Sequence, residues 1–288
     1  EKNKNFFFKY ERLEQKNSIK NIFLEFNPKV VIHLAAQAGV RYSIDHPETY
    51  LDSNLIGTFN ILEALKEVKC EHFLLASTSS VYGGNRKMPY KETDSTDFPM
   101  SFYAATKKSN EVMTHAHSHL FGIPTTCFRF FTVYGPWGRP DMALFKFTEK
   151  ILNEKSIDVF NNGKMKRDFT YIDDLVEGIR LLIDIVPLKN ADVSNEINDD
   201  SKSPIAPWRV VNIGNSNPIE LETFLEVLEK KIGKRIIKNY LGIQPGDVPE
   251  TFADISLLKK LTGFSPKTSI EKGIENFLNW YKESYKLD

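Results

Sequence analysis

The sequence predicts an α/β fold, a doubly wound parallel sheet with a smaller C-terminal lobe. Short β-branched or aromatic runs alternate with longer segments of helical periodicity, which is typical of a parallel sheet covered by helices. From about residue 136 the pattern of the sequence changes, because prolines and glycines that are typical of a loop appear there. The chain has 288 residues, which allows one large domain or two modest ones. We therefore expect a first domain over 1–135 and a second lobe over 136–288, with 210–216 returning to the first.

The elements of the first domain are predicted from local periodicity. KVVIHL at 29–34 is short, apolar and β-branched, as expected for a buried parallel strand. Residues 49–68 repeat apolar side chains at steps of three and four, which predicts a long helix. The predicted strands are 6–10, 29–34, 72–76 and 125–131, and the predicted helices are 18–26, 49–68 and 103–120.

The second lobe is predicted to contain further helices and short strands. The helices are expected at 144–152, 173–185, 221–232 and 270–281, and the strands at 157–160, 168–171 and 209–213. Asp173 or Asp174 is expected to cap the helix that begins there, since Asp accepts the orphan N–H groups of a first turn. The polar segment 190–207 has no periodicity and predicts a loop.

Composition argues against several classes of partner. Lys plus Arg equals Asp plus Glu, at 38 each, so net charge gives no argument for nucleic acid or an anionic membrane. No apolar run approaches the ~20 residues that span a bilayer. Cys70 and Cys127 lack metal-ligand spacing and indicate a reduced, cytoplasmic setting. Of His115, His117 and His119 only the first and last share a helix face, so we expect solvated side chains and no metal site.

The stretch FYAATKK at 102–108 places Tyr103 four residues before Lys107. On a helix these positions share one face, one turn apart. Free tyrosine has a pKa near ~10, and a nearby ammonium stabilises the phenolate and lowers that pKa. The pair is therefore a candidate general base with its activator. The spacing alone favours the simpler interpretation, a helix surface with a half-buried tyrosine and a solvated lysine.

Small and hydroxyl-bearing residues follow the predicted strands at the edge where parallel sheets bind ligands. Ala35 and Ala36 follow one strand, STSSVY at 77–82 follows the next, and TVY at 132–134 follows the third. The helix that carries Tyr103 starts on the same side. This convergence predicts a ligand-binding crevice, and it is stronger evidence than the tyrosine–lysine spacing.

Several motifs together resemble the extended short-chain dehydrogenase/reductase family. ASTSSVYGG (76–84) followed by YAATK (103–107) is similar to the family's catalytic segments. FTVYGPWGRPDMA (131–143) is similar to its nucleotide-sugar branch, and most like UDP-glucuronate 4-epimerases. The similarity extends over HLAAQAGVRYS (33–43), SNLIGTFNILEA (53–64), RDFTYIDD (167–174), VVNIGN (210–215) and QPGDVPETFAD (244–254). The resemblance implies a Rossmann-like NAD-binding domain and a second lobe that binds a UDP-sugar substrate.

The resemblance also implies a role for each matching residue. Tyr103 as phenolate takes the proton of the sugar 4-hydroxyl, Lys107 holds that phenolate and the nicotinamide ribose, and Thr78 is the helper hydroxyl. A hydride passes from carbon 4 to NAD, the resulting 4-keto sugar turns over, and the hydride returns to its opposite face. The implied substrate residues are Ser79, Ser80, Thr132, Arg139, Phe160, Arg167 and Asp247. The implied cofactor residues are Leu34, Ala35, Ala36, Asn54 and Phe130, together with Tyr103 and Lys107.

Arg139 is expected to grip the sugar carboxylate, since a guanidinium binds a carboxylate in two places. Such a clamp keeps the carboxylate from aligning for loss of CO₂ once the 4-ketone forms. By resemblance Thr132 joins it and Arg167 takes the UDP diphosphate. Phe160 stacks near the uracil and Asp247 bonds a ribose hydroxyl. A backbone-bonding loop role for Arg139 and plain core packing for Phe160 are the alternatives.

Residues 76–84 carry no carboxylate. The resembling 4,6-dehydratases carry an Asp-Glu pair there, and the decarboxylases usually carry a Glu. An epimerase is therefore the better match. The runner-up within the enzyme class is epimerisation of a neutral UDP-hexose.

The first glycine of the chain is Gly39. Extended family members carry a GxxGxxG-like turn at the first strand–helix junction, where backbone N–H groups meet the cofactor pyrophosphate. By resemblance we expect roughly the first fifty residues of a full-length protein to be absent, a length typical of an opening βαβ unit. The competing class is a non-catalytic remnant that acts only by dimerisation. Relatives dimerise through a four-helix bundle, and 49–68 with 103–120 are expected to supply it here in a homodimer.

Overall fold

The computed structural model describes residues 3–188, 200–243 and 248–286. The strands are β1 (Val30–His33), β2 (His72–Thr78), β3 (Thr125–Phe130), β4 (Thr132–Tyr134), β5 (Ile157–Val159), β6 (Lys166–Tyr171), β7 (Trp208–Ile213), β8 (Pro218–Glu220) and β9 (Lys238–Tyr240). The helices are α1 (Lys16–Phe26), α2 (Tyr42–Asp45), α3 (Pro47–Tyr50), α4 (Gly57–Leu65), α5 (Phe102–Phe121), α6 (Ala143–Leu152), α7 (Ile172–Ile183), α8 (Leu221–Ile232), α9 (Ser256–Thr262) and α10 (Ile270–Tyr285). A π-helical turn, Leu51–Ile56, joins α3 to α4, and 3₁₀ turns span Ser79–Tyr82 and Phe160–Gly163.

The main sheet has the order β1–β2–β3–β7, and all its pairings are parallel. Helices α1 and α4 cover one face, where Ile19, Leu62 and Leu65 pack on the strands. Helices α7 and α9 cover the other face, where Leu182 and Leu258 are fully buried. The predicted doubly wound parallel sheet is confirmed, because helices bury their apolar faces on both sides of it.

The second lobe has its own apolar core. Helices α6, α8 and α10 pack around β5 and β6, with Phe224, Ile274 and Phe277 buried between them. The small sheets β4–β6–β8 and β5–β9 complete the lobe. Strand β4 follows β3 after one residue, so the lobe starts where the main sheet ends. We propose the domain division at residue 135 on this separation of cores, but α7 and α9 return to the main sheet together with β7, which pairs with β3.

The prediction of a strand at 6–10 is wrong. These residues are irregular and their aromatic side chains are exposed, since no strand pairs with them within the described ranges. Strand β1 is confirmed, but it lies at the edge of the sheet, with Val30 and Ile32 37% and 38% exposed. An apolar run predicts a strand without saying whether that strand is central or peripheral.

Most predicted helices match within a few residues, but α7 starts differently. It begins at Ile172, and the side chains of Asp173 and Asp174 do not cap it. Both lie in its first turn, where carboxylates interact favourably with the helix dipole.

Strands β8 and β9 and helix α9 are missed, because elements this short carry little periodicity. In the predicted loop at 190–207, residues 200–207 are irregular and 190–199 lie outside the described residues.

Asp168 on β6 joins the two lobes. Its carboxylate is fully buried and accepts backbone N–H bonds from Asn215 at 2.8 Å, Ser216 at 3.1 Å and Ala253 at 3.0 Å. The first two donors lie directly after β7 of the main sheet. Only glycine fits at Gly214 in this turn, because a Cβ there would lie 2.5 Å from that of Ala253.

Replacing Asp168 by alanine leaves three buried N–H groups without their acceptor. We expect the free energy of unfolding to fall by about 3 kcal/mol, measured by urea unfolding followed by circular dichroism. Asp184→Asn, at an exposed carboxylate after α7, is the control, with an expected change within about 0.5 kcal/mol. A loss in Asp168→Ala no larger than that of the control would contradict the proposed role of this carboxylate.

Candidate active site

The carboxyl end of β2 and the N-terminus of α5 meet at one edge of the main sheet. Strand β2 ends at Thr78, whose hydroxyl accepts a bond from Ser80 N at 3.2 Å and so starts the 3₁₀ turn. Helix α5 is capped by Ser101, whose hydroxyl accepts a bond from Ala104 N at 3.1 Å. These caps place Tyr103 in the first helical turn, within hydrogen-bonding contact of Thr78.

Burial moves both members of the tyrosine–lysine pair toward their neutral forms. It raises the pKa of Tyr103, while the Thr78 hydroxyl and the Arg139 guanidinium oppose that rise. It lowers the pKa of Lys107 to about 8, and the ammonium donates to Ala76 O at 2.9 Å. Arg139 is thus a positive charge near Tyr103 that the spacing of the tyrosine and the lysine does not predict.

Tyr50 is a site residue that sequence reasoning missed. Its ring is fully buried and meets the Tyr103 ring edge-on, with centroids 6.0 Å apart. Its hydroxyl donates to Gly39 O at 2.6 Å, which ties the loop after β1 to the catalytic helix. The contact joins segments more than fifty residues apart, so no local pattern in the sequence announces it.

Asn54, predicted to bind the cofactor, makes its contacts within the protein. Its side chain is fully buried, accepts a bond from Gln37 N at 2.8 Å and donates to Thr106 Oγ1 at 3.0 Å. It therefore holds the loop after β1 against α5. Its proposed part in cofactor binding is to shape that loop.

The residues at this edge fit the nicotinamide half of NAD. Leu34, Ala35 and Ala36 extend from the end of β1, and the first two are exposed. Phe130 is half-buried at the end of β3, where it pairs with Thr78. The small alanines leave room for a ring, and the tyrosine–lysine pair supplies a hydroxyl and an ammonium. The chain has no glycine before this loop, so the fit concerns this half of the cofactor alone.

A cavity of about 190 Å³ opens at the junction of the two lobes. Ser79, Ser80, Thr132 and Arg167 line it, so the structure brings together four of the predicted substrate residues. Hydroxyls and a guanidinium are suited to phosphate and sugar oxygens. The cavity therefore fits a polar, anionic ligand.

Arg139 lies on the loop after β4, beside a smaller cavity of about 50 Å³ that it lines with Thr132. Its guanidinium pairs with both oxygens of the Asp141 carboxylate, and the Nε–Oδ1 distance is 2.9 Å. Both side chains are about half exposed. A ligand carboxylate can therefore exchange with that of Asp141, while the charge still acts on Tyr103.

Two further predicted substrate residues, Phe160 and Arg167, lie on the second lobe. The Arg41 guanidinium covers the Phe160 ring at 4.6 Å from its centroid. Arg167 Nη1 donates to Pro249 O at 3.2 Å, which orients this side chain on the wall of the cavity. Asp247 lies outside the described residues.

The three histidines of α5 are not simply solvated, as the sequence predicted. His115 Nε2 lies 2.8 Å from Ser203 Oγ, and His119 Nδ1 donates to Ile205 O at 2.9 Å. His117 is buried. These contacts fasten the segment before β7 onto α5.

Within the described ranges no group of three His, Cys, Asp or Glu side chains could hold a metal ion. In the same ranges no helix has the length and apolar character that crossing a bilayer requires.

Thr251 is a second residue that sequence reasoning missed. Its side chain lines the larger cavity, is 8% exposed, and its hydroxyl has no hydrogen-bond partner among the described residues. Its backbone is fixed on β6 by bonds to Lys166 O at 3.2 Å and from Asp168 N at 3.1 Å. Buried hydroxyls normally have partners, so this one is a candidate ligand contact.

Comparison with known proteins places the chain in a family. A family model described as GDP-mannose 4,6 dehydratase matches residues 1–277. The chain belongs to this family. It is 51% identical over 282 residues to the protein CapI of Staphylococcus aureus, covering 98% of this chain and 84% of that protein. It is 54% identical over 259 residues to a probable UDP-glucuronate 4-epimerase of Rhizobium meliloti, covering 90% and 76% respectively.

A solved structure also matches this family member closely. The UDP-glucuronic acid 4-epimerase from Bacillus cereus, solved with UDP-glucuronic acid and NAD, aligns with a TM-score of 0.83 at 34% identity. The alignment covers 99% of this chain and 84% of that one. The resemblance to nucleotide-sugar epimerases inferred from the motifs is confirmed.

Thr251→Val removes a hydroxyl that makes no bond within the described protein. We expect the affinity for the probe nucleotide UDP to fall about fivefold in isothermal titration calorimetry, since one hydrogen bond contributes about 1 kcal/mol. The free energy of unfolding should change by less than about 0.5 kcal/mol, because no protein bond is lost. Thr148→Val is the matched control, another buried threonine with an unpartnered hydroxyl but outside the cavity. An unchanged UDP affinity in Thr251→Val would remove Thr251 from the site.

Proposed function

We propose that this family member catalyses NAD-dependent epimerisation of UDP-glucuronate to UDP-galacturonate at carbon 4. The observation that carries the proposal is the meeting of Thr78, Tyr103 and Lys107 at one edge, beside a cavity rich in hydroxyls. The alignment with an epimerase solved with UDP-glucuronic acid and NAD supports it. A cytoplasmic setting is part of the proposal, since Cys70 and Cys127 are both free thiols.

The side chains at this edge have separate roles in the transfer of one proton. NAD, when bound, would supply the acceptor and then the donor of the carbon-4 hydride, so that a 4-keto sugar would form transiently and be reduced from its opposite face. Tyr103 accepts the proton of the 4-hydroxyl, and the Thr78 hydroxyl and the Arg139 charge stabilise its phenolate. Lys107, docked at Ala76 O, contributes an ammonium toward the nicotinamide ribose. Tyr103 then returns the proton when the hydroxyl re-forms.

Arg139 favours an acidic over a neutral sugar in this proposal. Its guanidinium already binds one carboxylate, that of Asp141, in the two-point geometry that a glucuronate carboxylate requires. Thr132 lines both cavities and so lies where a sugar bridges them. The clamp holds the carboxylate away from the alignment that would release CO₂ from the 4-keto sugar.

Elimination of water fits this site less well than epimerisation. A dehydratase needs a carboxylic acid and base near the sugar, whereas residues 76–84 contain only small, hydroxyl and aromatic side chains. Among the described residues, the carboxylates of Glu92 and Glu111 accept bonds from Asn212 N and from the Arg129 guanidinium respectively, so neither is free to serve as that acid or base. The family model carries a dehydratase name, but the residues of this chain favour the epimerase branch.

The purified chain incubated with UDP-glucuronate, with and without added NAD, tests the proposal directly. We expect the anomeric proton signals of UDP-galacturonate to appear in NMR spectra. Tyr103→Phe should lower the rate about 100-fold or more, since a general base contributes about 10²–10⁴. Tyr10→Phe, at an exposed tyrosine, is the control and should keep the parent rate. Absence of product under both conditions would overturn the proposal and favour a non-catalytic, dimerising protein.

Arg139→Met separates the acidic sugar from the neutral runner-up in the same assay. We expect kcat/KM for UDP-glucuronate to fall about tenfold to a hundredfold, since a charged hydrogen bond contributes about 1.5–3 kcal/mol. A decarboxylated 4-keto product should appear, and turnover of UDP-glucose should fall by less, because that sugar loses only the Arg139 charge near Tyr103 and no carboxylate contact. Arg180→Met removes an exposed arginine that is likewise paired with a carboxylate, and serves as the control. Equal losses with both sugars would reject the clamp.

We propose that the chain forms a homodimer through a four-helix bundle. The proposal is supported by exposed apolar side chains on neighbouring helical segments: Leu51 and Phe59 are 43% and 46% exposed, and Val112 on α5 is 57% exposed. The segment from α3 to α4 packs beside α5, so these side chains belong to one helical layer. A second copy would bury them and complete a bundle of four helices.

Val112→Asp places a charge in the proposed dimer contact. We expect light scattering after gel filtration to change from twice 33.1 kDa for the parent to 33.1 kDa for the variant. The reason is that burying an unpaired carboxylate costs several kcal/mol, roughly. Val176→Asp, at a similarly exposed valine on α7, should remain dimeric. A dimeric Val112→Asp protein would rule out this interface.

A further inference from the structure

Helix α5 is fastened to β2 by more than its catalytic residues. Lys107 Nζ donates to Ala76 O at 2.9 Å, and one helical turn later Glu111 Oε1 accepts a bond from Ser77 Oγ at 2.6 Å. Two side chains on one face of the helix thus hold two consecutive residues of the strand. The arrangement sets the position of the helix along the strand, and with it the position of the lysine.

Glu111 belongs to a buried ion pair. Arg129 Nε and Nη2 donate to its two carboxylate oxygens, both at 2.9 Å, and the two side chains are 1% and 3% exposed. Lys108 Nζ approaches the same carboxylate at 3.9 Å from the helix surface. Arg129 is fixed further by a bond to Glu92 O at 3.2 Å and by the Tyr82 ring, 4.7 Å from its guanidinium carbon.

The charge on Glu111 acts on Lys107. Burial lowers the pKa of Lys107 to about 8, and the Cys127 sulfur and the Glu111 carboxylate oppose that fall. Burial raises the pKa of Cys127 to about 12, so it is a neutral thiol near pH 8 and contributes no charge. His33, which also lies in the field of Lys107, is neutral there because burial lowers its pKa to about 3. Glu111 is therefore the anion that favours the charged lysine, and its pairing with Arg129 limits how strongly it does so.

We propose that Glu111 is a positioning residue for the reaction, which keeps the Lys107 ammonium charged and docked at Ala76 O while Arg129 balances its own charge. It touches neither sugar nor cofactor and acts through Lys107. The ion pair is neutral as a whole, so the lysine responds to the imbalance when either partner is removed. Removing the anion and removing the cation shift the lysine in opposite directions.

The test follows the titration of Lys107 in protein labelled with [6-¹³C]lysine, in the parent, Glu111→Gln, Arg129→Met and the double variant. The Lys107 signal is identified by its absence in Lys107→Met. We expect the parent midpoint near 8 to fall by about one pH unit or more in Glu111→Gln and to rise in Arg129→Met. In the double variant the midpoint should lie below the parent value but above that of Glu111→Gln, because Glu111 acts on Lys107 more strongly than Arg129 does. Unchanged midpoints in the single variants, or a double-variant midpoint at or above the parent value, would overturn the proposal.

The test remains possible if one of the two single-substitution variants fails to fold. The other single variant still gives the sign, and the double variant replaces a buried pair by neutral side chains, which proteins tolerate far better than one unpaired charge. If neither single variant folds, a midpoint in the double variant below the parent value supports the effect of Glu111 on Lys107, and an unchanged midpoint refutes it.

A measurement of enzyme activity rests on the proposed function and is interpreted separately from the titration. In it, the alkaline limb of the pH–rate profile with UDP-glucuronate should move with the Lys107 midpoint in each variant, whereas a purely structural loss lowers the rate equally at every pH. A limb that stays fixed while the midpoint moves would refute the link between Glu111 and the reaction. If the parent itself does not turn over UDP-glucuronate, the proposed function fails, while the NMR titration still decides the role of Glu111.

Discussion

The two lobes depend on one buried carboxylate, that of Asp168, whose three backbone donors come from two separate segments, Asn215 and Ser216 after β7 and Ala253 before α9. A buried charge is stable only when its hydrogen bonds are satisfied, so these segments are fixed relative to each other. Burial raises the pKa of Asp168, and the surrounding N–H groups oppose the rise. Arg167 precedes Asp168 on the strand, and Thr251 lies two residues before the donor Ala253. The wall of the larger cavity is thereby tied to the end of the main sheet.

At the catalytic edge, burial has opposite consequences for an acid and a base. It raises the pKa of Tyr103 and lowers that of Lys107, so both residues resist ionisation in the protein alone. Such a pair responds strongly to charges brought close to it, because little water is present to screen them. Arg139 supplies one such charge to Tyr103, and Glu111 supplies another to Lys107. The dyad is therefore controlled by its surroundings rather than by its own spacing.

The sequence predicts what is local and misses what depends on tertiary neighbours. Helix α8 matches the predicted 221–232, because its apolar period is unbroken and Gly233 adopts the left-handed conformation that ends it. The edge position of β1 could not be predicted from the sequence, since an apolar run does not show which strands lie beside it. The pairing of Glu111 with Arg129 joins a helix to a strand eighteen residues away, and only the assembled fold brings them together. Of the substrate residues around the larger cavity, Ser79, Ser80 and Thr132 follow predicted strand ends, whereas Arg167 is expected from the family resemblance alone.

Because the Arg41 guanidinium already stacks on the Phe160 ring, a nucleotide base can stack there only by displacing it. If a base stacks on Phe160 as proposed, it replaces a cation that already covers the ring. A cation–π contact at such a site contributes about 0.5–1 kcal/mol, so the net gain from the base is the small difference between two similar contacts. Most of the affinity must then come from the diphosphate and the sugar. The protein would discriminate weakly among nucleobases and strongly among the groups attached to them.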